Sequence, residues 1–233
     1  CTCAKMLNES EEHDLWNGHR TWSIDGSGFS MPDTPELQKK FGQPGNQAQG
    51  CGFPGAHLLC LFHHSTGLLL RMELAPLRTH DQAHASRLHS IMKGGDILLG
   101  DRGFASFVHL ALLSKEKMHG VFRVHQKQIV NFRPGRGCNI GNKVHLKGRP
   151  RSRWIRNLGS KDQLVEYFKP TSKPKWMDDE AYFALPASLV VREMSYKIPG
   201  QNKRTKVITL VTTLLNPERY SASSLAKLYE SRW

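Results

Sequence analysis

No stretch of this 233-residue chain approaches the ~18 consecutive apolar residues of a membrane-spanning helix. Its longest apolar runs, such as Leu58–Phe62 and Leu68–Leu70, have the length of strands. A bilayer-embedded helical protein is thereby excluded. Cysteine is scarce and odd in number: Cys1, Cys3, Cys51, Cys60 and Cys138 are thinly spread, which excludes a secreted disulfide scaffold and points to reduced thiols in a cytosol. The polar, acidic N-terminal residues lack the apolar stretch of a signal peptide. Internal repeats, a glycine-rich phosphate loop, a nucleophile elbow and kinase signatures are all missing. The first residue is Cys1 rather than Met, so the chain is expected to be a piece of a longer product. Its length suits one large domain, or one domain carrying an insertion.

What the chain has in excess is positive charge, and that charge is concentrated. The formal net charge is +13. Lys117–Lys175 holds 15 Lys and Arg against two acids, Asp162 and Glu166, while the remaining residues hold 18 of each sign and are neutral. In RPGRG (133–137) and KGRPRSRWIR (147–156), Arg and Lys are interleaved with Gly, Pro and Trp154. A polyanion is the natural partner, because each neutralised phosphate releases counterions and adds affinity. The plainer reading is a solvated basic surface. No amphipathic helical stripe favours a membrane surface.

The order of elements reads as α/β. TWSIDGSGF (21–29) alternates and then meets Gly26 and Gly28, which predicts a strand ending near Asp25. Two Gly- and Pro-rich stretches, 30–36 and 41–55, predict a long loop. HLLCLFHHSTGLLLRMELAP (57–76) reads as a hairpin turning at His-Ser-Thr-Gly. A helix is expected over Asp81–Met92, and a buried strand at Ile97–Leu99. The next helix is capped by Ser106, and Val121–Val124 is a further strand. The segments 164–170 and 189–198 alternate like strands, 207–215 is a β run, and a final helix starts at Ser221. The fold class predicted is α/β with a mixed sheet.

Asp25 and Asp101 each follow an apolar strand and adjoin glycine, where side chains emerge at a sheet edge and ligands collect in α/β folds. Two carboxylates from neighbouring strands suit Mg²⁺, which takes one or two of them alongside phosphate oxygens and water. A two-metal site would drive in-line phosphoryl displacement. The alternative is that both acids cap turns or pair with residues such as Arg102. Histidine offers less. His80 and His84 share helical spacing and His63-His64 are adjacent, but no third ligand has zinc spacing, and CTC at 1–3 lacks a partner pair. Asp33 and Glu36 read better as a capping box, with Thr34 or Asp33 before a short helix at Glu36–Lys40, than as metal neighbours. Asp178–Glu180 reads as a helix start or a solvated face.

IDGSGFSMPDTPE (24–36), ILLGDRGFASFVHLALL (97–113), VFRVHQ (121–126), LVVRE (189–193) and LVTTLLNPERYSASSLAKLYESRW (210–233) resemble the insertion-sequence-four-like DDE transposases of bacteria. The similarity runs from about Trp22 to the last residue, and GDRGF together with the Tyr-x-x-Arg helix carries it. The resemblance implies a ribonuclease H-like core whose Asp, Asp, Glu triad binds two Mg²⁺ ions, with Mn²⁺ a substitute. Asp25 matches the first acid and Asp101 the second. Tyr229 and Arg232 match a helical motif that asks for Glu at 236, three places past Trp233. Glu230 would point to another helix face. The fragment is therefore expected to be inactive and its parent active in DNA transposition.

The implied division is a remnant of an upstream region (1–19), the first part of the core (20–126), a basic β-rich insertion (127–205), and the last core strand with a final helix (206–233). Such insertions hold double-stranded DNA, at transposon ends and target. Arg123, Arg133, Arg136, Lys147, Arg149, Arg151, Arg153 and Arg156 are the expected phosphate contacts. Tyr229 and Arg232 are expected at DNA near the active site. Trp154 is either core or a stacking platform. A homodimer on paired ends and a place at the bacterial nucleoid in the cytoplasm follow by the same resemblance. A degenerate DNA-binding remnant and a metal-dependent nuclease of the same fold stay open as alternatives.

Overall fold

The computed structural model describes residues 15–45, 48, 50, 52–76, 81–140, 148–199 and 205–232. Lys147, His80, Cys1, Cys3, Cys51 and the first fourteen residues lie outside the described residues. No helix among the described residues is long and apolar enough to cross a membrane.

The first half of the chain supplies β1 (Thr21–Ser30), β2 (Gly55–His63), β3 (Leu69–Pro76), β4 (Ile97–Gly100) and β5 (His119–Arg123). The second half supplies β6 (Arg153–Gly159), β7 (Asp162–Phe168), β8 (Ser188–Pro199) and β9 (Thr205–Thr212). Among the described residues these form one sheet in the order β3-β2-β1-β4-β5-β9-β8-β7-β6. β1 to β3 are antiparallel neighbours, β4 and β5 join β1 in parallel, and β9 runs antiparallel to β5. That is a mixed sheet. Strands β6–β8 extend the same sheet through the β8–β9 ladder.

β4 can be a continuous apolar run because both of its faces are covered: Ile97, Leu98 and Leu99 are all fully buried. Helices α2 (Asp81–Leu88), α3 (Phe107–Lys115) and α4 (Asp179–Phe183) contribute to one core, with Trp22, Ile24, Leu98 and Phe122 from the sheet. Helix α5 (Ala222–Glu230) covers the other face, against Ile97, Leu99, Val121, Met194 and Leu210. The caps follow the sequence. Ser106 Oγ accepts from the His109 N–H at 3.1 Å, Ser221 from Ser224, and Asp178 from Ala181. Thr34 caps α1 (Pro35–Phe41), with Pro35 at its first turn.

One boundary differs from expectation. β1 does not end near Asp25 but runs on to Ser30, because it pairs with β2 along nearly its whole length, from Trp22↔His63 to Ser30↔Gly55. The ladder with β4 stops earlier, at Ser23↔Leu99. Gly26 does not break the strand. A Cβ there would come within 3.0 Å of the His57 ring, so glycine makes room for a neighbour on β2.

Candidate active site

Register decides which side chains meet. β1 and β4 pair as Thr21↔Ile97, Trp22↔Leu98 and Ser23↔Leu99. Continued two residues past the last pair, this parallel register sets Asp25 level with Asp101. β4 and β5 pair from Ile97↔His119 to Gly100↔Phe122, and the next step sets Asp101 level with Arg123. Neighbouring strands lie ~4.8 Å apart, so the three side chains form a short row across three strands.

Alternation fixes the face. Trp22 and Ile24 enter the core under α3, so Ser23 and Asp25 project to the opposite side. Ile97 and Leu99 lie under α5, and Asp101 continues that parity. Both carboxylates therefore stand on the α5 face, Asp25 exposed and Asp101 half-buried. Among the described residues no ion pair neutralises either one. Arg102 instead donates to Gln126 Oε1 at 2.7 Å. Asp101 Oδ1 accepts the Gly103 N–H at 2.7 Å, which fixes the turn after β4.

Helix α5 ends over this row. Arg232 Nη1 donates to the Tyr229 hydroxyl at 3.2 Å, and its Nη2 reaches the Ile24 carbonyl at 3.5 Å. Burial raises the Tyr229 pKa, with Asp101 adding to the rise while Arg232 and Arg123 oppose it. Tyr229 is only 4% exposed and packs in the α5 core, so its hydroxyl serves Arg232 rather than standing open at the surface. On the other flank, Cys60 is level with Asp25 on β2, and its thiol pKa is raised by burial and then by Asp25.

His64 has a place in this site that its sequence context did not suggest. Its Nδ1 shares a hydrogen bond with Ser23 Oγ at 2.7 Å and its Nε2 with Ser231 Oγ at 2.9 Å. The imidazole thereby ties the end of α5 to β1. Burial, Arg232 and His63 lower its pKa, which favours the neutral bridging form. Its only sequence signal is its position after the β2 run, at the mouth of a hairpin.

The basic residues divide into engaged and open. Arg136 donates from Nε to Asn131 O at 2.6 Å, from Nη1 to Ser152 O at 2.6 Å, and from Nη2 to Ser152 Oγ at 2.8 Å. It staples the loop after β5 and is not a free guanidinium fork. Arg153 pairs with Glu166 and lies 5.5 Å over the Phe168 ring. Arg133, Arg149, Arg151 and Arg156 are exposed. Trp154 is half-buried, and its Nε1 donates to Asn157 Oδ1 at 3.1 Å.

The donor set suits a hard divalent cation: two carboxylates, level on adjacent strands and carrying no competing ion pair among the described residues. No group of three or more His, Cys, Asp or Glu is gathered for a metal among the described residues. His63 lies in the hairpin, with Nδ1 at 2.9 Å from Thr66 Oγ1.

Comparison with known proteins finds transposases. Over 231 residues the chain is 22% identical to transposase InsG for insertion sequence element IS4 of Escherichia coli (strain K12), covering 99% of this chain and 45% of that protein. The chain thus spans less than half the length of this relative. Among solved structures, the Mos1 transposase paired-end complex with left transposon end aligns over 49% of this chain and 38% of that one, at 17% identity and a TM-score of 0.28. The transposase DDE domain family matches residues 16–233, across both carboxylate strands, the basic segment and α5, and this chain belongs to it.

Proposed function

We propose that this chain is the acid-bearing part of a DNA transposase, in which Asp25 and Asp101 hold Mg²⁺, or Mn²⁺ in its place, at a scissile phosphodiester. DDE transposase domains generally use divalent metal ions. The observation that carries the reading is the register setting Asp25, Asp101 and Arg123 level on one face, beneath the end of α5. The reaction is hydrolysis at transposon ends, followed by transfer of the freed 3′-hydroxyl to target DNA. When bound, the cation supplies charge stabilisation and a more acidic attacking water.

The remaining work falls to the chain's own groups. The Gly103 N–H keeps the Asp101 carboxylate oriented. Arg123 stands one strand from Asp101 and contacts a phosphate oxygen by a charge-assisted hydrogen bond. Arg232, steadied by Tyr229 and the Ile24 carbonyl, makes a second such contact. Arg133, Arg149, Arg151 and Arg156 position duplex DNA without reading sequence. Lys147 joins them on sequence grounds. Residues 127–205 act as the DNA-holding insertion, and two copies hold a pair of ends.

The test is Mg²⁺-dependent cleavage of a labelled duplex by a chain carried on past Trp233 to a Glu at 236. Asp25→Ala and Asp101→Ala are each expected to lower the rate about 10³-fold, the scale of ~4 kcal/mol of lost transition-state stabilisation, with duplex Kd changed less than about threefold. Retained cleavage in either variant overturns the assignment. Duplex binding by that extended chain with no metal-dependent cleavage favours the binding-only alternative.

A further inference from the structure

The turn that aims Asp101 is gripped from behind by a side chain to which the strand-transfer reading gives no role. Gln82, on the first turn of α2, is 8% exposed. Its Nε2 donates to the Gly103 carbonyl at 2.7 Å, and its Oε1 accepts from Ser106 Oγ at 2.7 Å. Ser106 in turn caps α3. One amide thus joins α2, the start of α3 and the turn after β4.

Gly103 is held at both of its backbone groups. Gln82 takes the carbonyl, and the N–H donates to Asp101 Oδ1 at 2.7 Å. The approach between Gly103 and the carboxylate is close: a Cβ on Gly103 would sit 3.0 Å from Asp101 Oδ1. Rotation of the residue-103 backbone therefore carries Asp101 with it. One carboxylate oxygen is occupied by this bond and the other is left for ligation, the arrangement by which outer-shell groups fix a ligand's orientation.

We infer that Gln82 is a positioning residue for Asp101, holding Gly103 so that the carboxylate keeps the orientation a divalent cation needs. The inference rests on the reading of Asp101 as a metal ligand. A residue that only filled space would be replaced without consequence by Met, which has similar length and no hydrogen-bonding amide. A positioning residue would not. Outer-shell losses at metal sites cost roughly 10–100-fold in affinity.

The experiment is Mn²⁺ titration of the whole chain, followed by electron paramagnetic resonance, with folding checked by circular dichroism. Gln82→Met is expected to raise the Mn²⁺ Kd about tenfold. Gln82→Asn, too short to span Gly103 and Ser106, is expected to do the same and stands in should the Met variant not fold. Leu88→Val, a core change in the same helix, is expected to leave the Kd within about twofold, since it removes neither hydrogen bond from Gln82 to the turn. If Gln82→Met stays within twofold of wild type while Asp101→Asn abolishes binding, the role of Gln82 is overturned and the metal reading stands. If Leu88→Val weakens binding as much as Gln82→Met, general loosening is the cause and the inference fails. If neither Asp25→Asn nor Asp101→Asn changes the titration, the metal reading fails and the inference goes with it.

Discussion

The two ends of the sheet treat charge in opposite ways. At the core end, Asp25 and Asp101 stand level on one face with no ion pair to either among the described residues. At the extension, the charged groups are answered internally. Arg192 is fully buried and grips Asp162 through Nε at 2.8 Å and Nη2 at 2.5 Å, with Nη1 on the Tyr220 carbonyl at 2.6 Å. Arg153 meets Glu166, and Arg136 meets Ser152. Glu193 accepts from Tyr167 and Gln163, each at 2.8 Å, and burial raises its carboxyl pKa. Both acids of the basic segment, Asp162 and Glu166, are therefore consumed in holding strands together. The outward positive charge is left to fewer arginines than composition suggests. One end leaves its two carboxylates open, while the other closes its ion pairs.

The sharpest way to break this contrast is to open a closed pair. Arg192→Met strands a buried Asp162 and should cost roughly 3–5 kcal/mol, read as a lower urea midpoint. A loss below about 1 kcal/mol would mean that the pair is not what joins β7 and β8 to the segment before α5.

Acidification should strike the core end next. His109 and His89 lie buried between α2 and α3, with their Nε2 atoms 3.0 Å apart, and His109 Nδ1 is 2.9 Å from the Phe104 carbonyl. A carbonyl only accepts, so His109 donates from Nδ1 and receives the His89 proton at Nε2. Burial pushes His109 down to about 4, and burial with His109 pushes His89 down to about 3. Their folded-state pKa values lie below the unfolded one, so this stability is present above about pH 6.5 and is lost as pH falls towards 4. The loss should reach on the order of 3 kcal/mol. Hydrogen exchange in residues 81–115 should accelerate over that range more than in 153–199. His109→Gln should blunt the difference. Equal acceleration in both regions would contradict the assignment.

The smallest effect sorts the arginines. Neutralising Arg149, Arg151 and Arg156 should lower the salt slope of duplex binding by roughly 0.9 for each phosphate left without its cation. Neutralising Arg136 and Arg153, already engaged, should lower it by less than about 1 in total. Equal falls for the two sets would erase the distinction between open and engaged groups.

Much of the fold is legible in local sequence, because caps, glycines and periodicity act over a few residues. Ser106, the Ile97–Leu99 run and the final helix each follow from such short-range physics. Asp25 and Asp101 stand out by their place after apolar runs, but their shared face depends on the β1–β4 register, which no local pattern encodes. Tyr229 follows Leu225 by four residues, a spacing that assigns it to the buried stripe of α5. The engagement of Arg136 and the bridge made by His64 depend on partners 16 and 167 residues away, so charge and residue type alone do not disclose them.

The most direct test of the acid pair is Fe²⁺-directed hydroxyl-radical cleavage of the polypeptide, with Fe²⁺ standing in for the divalent ion. The account predicts backbone cuts close to residues 25 and 101, suppressed by excess Mg²⁺ and by Asp101→Asn. Cuts elsewhere, or cuts at both places that persist in the variant, would contradict it.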